Sequence, residues 1–91
     1  MTVKPGCWDE LGPLFEEMIE LTNKEKGCIE YNLFIDVNDE TKACMIEAWE
    51  SDEDFDAHLI SDHHERIIPI FREKYRAAPS EITRYRPYKK S

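Results

Sequence analysis

Two stretches of strict alternation constrain this chain more than any other feature. Cys28–Asp36 sets Ile29, Tyr31, Leu33 and Ile35 on one side and Cys28, Glu30, Asn32 and Phe34 on the other. Ala43–Trp49 repeats the pattern, with Ala43, Met45, Glu47 and Trp49 against Cys44, Ile46 and Ala48. A period of two is that of a half-buried strand. The polar run Val37–Lys42 between them is predicted to be a hairpin loop.

The flanking segments follow a different period. From Trp8 to Lys26, Trp8, Leu11, Leu14, Phe15, Met18 and Leu21 recur at helical spacing, with Glu10, Glu16, Glu17, Glu20 and Lys24 on the other side. That is an amphipathic helix with one buried stripe. Gly12-Pro13 interrupts it, and an interior proline costs about 3 kcal/mol. The sequence therefore predicts either a late start capped by Asp9 or a kinked first turn, with Gly27 ending the helix in the left-handed region. Ser51-Asp-Glu-Asp54 resembles a capping box and opens a short helix carrying Phe55, His58 and Leu59 on one side. Ser61-Asp62 restarts that helix, which runs through Ile67, Ile70 and Phe71 toward Tyr75 with a kink expected at Pro69. Thr2–Lys4 is a scrap of strand closed by Pro5-Gly6, and Glu81–Tyr88 is predicted as a last, edge strand.

The expected order is β-α-β-β-α-β across a single domain, residues 1–91: a ferredoxin-like α+β sandwich with both helices on one face of the sheet. The other face would stay open and carry Cys28, Phe34, Cys44 and Ile46. A chain of 91 residues is short of core, so a two-fold dimer with sheets back to back is the expected closure.

Composition narrows the function by exclusion. Acidic residues number 20 against 12 basic, a net charge of −8, which disfavours nucleic acid and anionic lipid alike. No run of about 18 apolar residues exists to span a membrane. Met1–Gly6 has no apolar segment of the kind a signal peptide needs. Cys7, Cys28 and Cys44 form no C-x-x-C pair, which suits free structural thiols in a reducing cytoplasm. The charge is polarised: residues 72–91 hold seven basic and two acidic groups. A basic arm on an acidic body suits docking onto a neighbouring copy, or is simply solvated charge near a terminus.

His58 and Glu47 are the residues with chemical promise. His58 follows Phe55 by three and falls on or beside the buried stripe of its helix, where a neutral imidazole can accept a proton. The competing reading is a hydrogen-bonded core histidine. Glu47 is the one carboxylate in the helix-facing row, if the register holds, and burial would raise its pKa unless Tyr31 or His58 answers it. It is either half of an acid–base pair or a structural hydrogen bond. Tyr31, Met45, Trp49 and Phe55 form an apolar, aromatic wall that is core or a seat for a flat ring. His63 and His64 invite a metal reading. Yet His58 and His63 stand five apart where one helical face needs four; a break at Ser61 would rescue that geometry, but no cysteine or carboxylate completes a convincing set, so no metal is expected. Dinucleotide, P-loop and serine-elbow motifs are missing as well.

Val3-Lys-Pro-Gly6, Gly27-Cys28-Ile29-x-Tyr31, Glu47-x-Trp49-x-Ser51 and His58-x4-His63, in this order over nearly the whole chain, resemble the antibiotic biosynthesis monooxygenase family. The resemblance implies a dimeric α/β barrel and a cofactor-independent oxidation of a small aromatic, quinol-like or polyphenol-like substrate by O2. His58 would be the base, Glu47 would orient it or share its proton, and Tyr31, Met45, Trp49, Phe55 and His63 would line the pocket. A non-catalytic dimer binding an aromatic or lipid-like metabolite, and an isomerase using Glu47 and His58, are the alternatives. Here the first strand is shorter than the family's.

Overall fold

The computed structural model describes residues 1–89; Lys90, counted above in the basic arm, and Ser91 lie outside them. In chain order the elements are β1 (Thr2–Val3), α1 (Trp8–Thr22), β2 (Cys28–Asp36), β3 (Asp39–Trp49), α2 (Asp52–Leu59), α3 (Asp62–Ile70), a π-helical turn at Phe71–Tyr75, and β4 (Arg76–Ala78). The strands form one antiparallel sheet in the order β2-β3-β1-β4. This is the expected α+β, ferredoxin-like arrangement. No helix among the described residues is long and apolar enough to cross a membrane.

The core lies between sheet and helices. Leu11, Phe15, Met18 and Thr22 form the buried stripe of α1, and Val3, Cys7, Tyr31, Ile67 and Phe71 close over it. The rings of Phe15 and Phe71 stand 5.2 Å apart, which joins α1 to the end of the α3 segment. Thr22 takes the buried position one step beyond Leu21, which is only half-buried. The helix begins before Gly12-Pro13 rather than after it. Its first turn is closed on the backbone, with the amides of Glu10 and Leu11 donating to the Cys7 carbonyl at 3.1 and 2.8 Å; Asp9 caps nothing. It ends at Thr22, and Asn23 then donates from Nδ2 to the carbonyls of Ile19 and Tyr31 at 2.8 and 3.0 Å. Residues 24–26 are therefore a turn, not helix.

The hairpin is longer than the sequence predicts, because β3 starts at Asp39 and only Val37-Asn38 lie outside the strands. Asp39 starts the strand by accepting from the Thr41 hydroxyl at 2.6 Å and the Thr41 amide at 3.0 Å; those bonds hold its carboxyl below the usual range. The register pairs Tyr31 with Glu47, Leu33 with Met45 and Ile35 with Ala43, so the expected rows hold through the middle of the ladder. They fail at its end. A bulge between Cys28 and Glu30 shifts the parity by one. Cys28 thus pairs with Trp49 and packs against the core, while Ile29 is 64% exposed. Cys28 is accordingly not on the open face, where Phe34, Cys44 and Ile46 do lie exposed.

The last strand is also elsewhere. β4 is Arg76–Ala78, directly after the π turn, and residues 79–89 are exposed and irregular. Pro79 ends the strand where the sequence suggested only a break. Pro69 sits in the last turn of α3 without an amide to donate, and the wider turn follows it.

Candidate active site

α2 and α3 are separated by a sharp break at Ile60-Ser61, and each has its own serine cap. Ser51 Oγ accepts from the Asp54 amide at 3.1 Å. Ser61 Oγ accepts from the His64 amide at 3.4 Å and donates to the His58 carbonyl at 2.7 Å. The break turns the first turn of α3 back toward α2. It brings His63 beside His58, with ring centroids 6.0 Å apart, although five residues separate them.

His58 is 1% exposed and ringed by aromatic side chains. Trp49 lies at 4.9 Å, His64 at 4.9 Å, Tyr31 at 5.3 Å and Phe55 at 6.3 Å from it, centroid to centroid. Tyr31 is buried, whereas Trp49, Phe55 and His63 are half-buried. The expected wall therefore does gather around His58. Met45, opposite Leu33, is half-buried and packs against the core.

The carboxylate that answers His58 is Glu25, not Glu47. Glu25 Oε2 lies 2.7 Å from His58 Nδ1 and 2.8 Å from His63 Nε2. A carboxylate can only accept, so both imidazoles present N–H to it. In neutral His58 the proton then sits on Nδ1 and Nε2 keeps its lone pair. Sequence reasoning missed Glu25 because it stands in a polar turn, Asn23-Lys-Glu-Lys-Gly27, and its partners lie 33 and 38 residues away. No local spacing signals such a triad.

Glu47 shares Tyr31's rung but is exposed, and its Oε1 accepts the indole N–H of Trp49 at 3.1 Å. The expectation of a buried Glu47 is thus overturned. β1 pairs with β3 only near Lys42 and Ala43. Beyond them the edge of β3 is open, and a side chain there reaches solvent.

Burial dominates the electrostatics. It pushes the Tyr31 phenol well above its ordinary value, reinforced by the charges of Glu47 and Glu25. It lowers His64 to about 4, helped by His58, Arg72 and His63. Burial likewise raises the thiols of Cys7 and Cys28, which leaves them poor nucleophiles. All three cysteines are free, and Cys44 is exposed rather than buried. Outside the ring cluster, Arg84 from the tail lies over the Phe55 ring, 4.7 Å from its centroid, and approaches Asp52 at 3.5 Å.

Comparison with known proteins bears on the family and the fold. The family model described as Antibiotic biosynthesis monooxygenase matches residues 1–69. No curated protein matches significantly. Among solved structures, a conserved protein from Methanosarcina mazei Go1 is 35% identical with a TM-score of 0.76, over 79% of this chain and 71% of that one. A structure described as an antibiotic biosynthesis monooxygenase is 31% identical with a TM-score of 0.78, over 85% and 81% of the two chains. A putative antibiotic biosynthesis monooxygenase from Nitrosomonas europaea, 19% identical, shares the fold with a TM-score of 0.80 over 86% and 74%.

Proposed function

Because the chain belongs to the antibiotic biosynthesis monooxygenase family, we propose that it is a cofactor-independent monooxygenase of a small aromatic, quinol-like substrate. The observation that carries this reading is the bond between His58 Nδ1 and Glu25 Oε2, 2.7 Å inside a ring of aromatic side chains. A carboxylate on Nδ1 fixes the tautomer and orients the imidazole, as in a Ser-His-Asp triad, so Nε2 is the proton acceptor. Glu25 thereby takes the orienting role expected of Glu47.

In this reading Nε2 removes a proton from a ring hydroxyl. The electron-rich anion reduces dioxygen, one oxygen atom enters the substrate, and the other leaves as water. The protein supplies binding, the base and a site poor in water. Trp49 and Phe55 are the half-buried members of the ring cluster, so a flat substrate would meet them first on its way to His58. A homodimer closing over Phe34, Cys44 and Ile46 belongs to the same proposal.

A panel of hydroquinones and polyphenols, followed by oxygen uptake in the presence of a chelator, tests the assignment. His58→Ala should lower the rate by about 10²–10⁴, the usual worth of a positioned general base, with its fold checked by circular dichroism. Glu25→Gln should cost less, and Glu47→Gln least. Equal uptake by wild type and His58→Ala would remove the base.

A second reading, a non-catalytic dimer that binds an aromatic metabolite, draws support from the packing of rings against His58, which leaves it 1% exposed. Saturable ligand binding with no oxygen uptake would favour it.

A further inference from the structure

We propose that Glu25, His58 and His63 form a binding site for one divalent first-row transition ion. Three separate segments deliver the three groups: the turn after α1, the end of α2 and the first turn of α3. Their donor atoms all lie within 4.8 Å of one another. Two imidazoles and one carboxylate are a donor set that zinc, cobalt, nickel and ferrous iron accept and that magnesium and calcium, which want oxygen, do not.

The electrostatics match. The ion-pair partners of Glu25 among the described residues are the two imidazoles, neither of which must carry charge. Its side chain is 17% exposed, and those of His58 and His63 are 2% and 12% exposed. A sheltered carboxylate between two imidazoles, each able to pass its N–H to the far ring nitrogen and turn the near one into a metal donor, is complementary to a dication. Bonds of about 2.0–2.2 Å place tetrahedral donors roughly 3.3–3.5 Å apart. The present 2.7 and 2.8 Å separations are hydrogen bonds, so Glu25 must draw back by roughly half an ångström, while the two nitrogens, within 4.8 Å of each other, close toward the same spacing. Glu25, on a turn and with some access to solvent, is free to give that distance. Three protein ligands also leave a fourth position for water or substrate.

This site shares His58 and Glu25 with the monooxygenase reading and bears on it. An ion on Nδ1 of a neutral His58 sends the ring proton to Nε2, which removes the lone pair that a base needs. Ion and proton transfer exclude one another at this ring.

The test is a calorimetric titration of the chelator-stripped, full-length protein with Zn²⁺ near neutral pH, repeated with Co²⁺ to read the visible absorption of a bound ion. One ion should bind per chain and raise the midpoint of thermal unfolding, since a ligand that binds only the folded state stabilises it. His63→Ala and Glu25→Gln should each weaken the affinity at least about tenfold, since even groups that only support a metal site cost 10–100-fold. Glu65→Gln, which changes an exposed carboxylate on the same helix as His63 that is no proposed ligand, should bind as wild type does. His63 is half-buried, so its variant keeps the test open if Glu25→Gln fails to fold. Wild-type protein that takes up no stoichiometric ion, or a folded His63→Ala that binds as tightly as wild type, would overturn the site. Either result leaves the oxygen-uptake assay, run with chelator, untouched.

Discussion

At the scale of single residues, Tyr31 has the clearest titration. It is 4% exposed, and burial holds its phenol in the protonated form beyond the range in which a free tyrosine ionises. The unfolded chain releases this proton near pH 10 while the native state keeps it, so the native state binds more protons there and stability falls as pH rises. Urea unfolding at about pH 9 and about pH 11 should therefore show a loss in wild type that is smaller in Tyr31→Phe. The two slopes should differ by at most about 1.4 kcal/mol per pH unit; identical slopes would mean the phenol is not protected. His58 and Glu25 mark how far sequence reading reaches. The helical spacing around Phe55 put His58 inside, and the alternation put Tyr31 with it. Glu25, between Lys24 and Lys26, gave no local signal, because its importance depends on a tertiary meeting with His58 and His63.

At the scale of elements, the two serine caps do different work. Ser51 satisfies one amide at the start of α2, and Ser51→Ala should cost about 1 kcal/mol in thermal or urea unfolding. Ser61 caps α3, bonds the His58 carbonyl and lies 3.3 Å from His63 Nε2. Its replacement by alanine should cost more than that of Ser51, and a smaller loss would mean the break is held by packing alone. The two hairpin strands were readable from alternation, and the caps from their serines. The bulge at Ile29 was not, since one inserted residue leaves alternation intact while reversing what it means. The final strand was misplaced because Ile82, Tyr85 and Tyr88 imitate a strand's composition yet are 80%, 89% and 99% exposed. Gly27, by contrast, has φ +81°, and a Cβ there would run into the Asp54 side chain. Its left-handed turn was predictable, and the Asp54 side chain that leaves no room for a Cβ there was not.

At the scale of the whole molecule, the order β-α-β-β-α-β followed from the sequence of periodicities, and with it the side of the sheet the helices cover. The opposite side exposes Phe34 at 45% and Ile46 at 46%. If the proposed dimer closes there, Ile46→Asp should shift the mass seen by light scattering from two chains to one without loss of secondary structure. A wild-type monomer at micromolar concentration would end the dimer proposal. Oxygen uptake and mass can be read on the same samples, which separates a lost base from a lost partner.

The sharing of one oxygen atom by two imidazoles has a mechanical side. Glu25 Oε2 holds both the end of α2 and the start of α3, across the same break that Ser61 bridges. Whatever else claims that oxygen, whether a proton, a cation or a substrate hydroxyl, must compete with two helix ends at once.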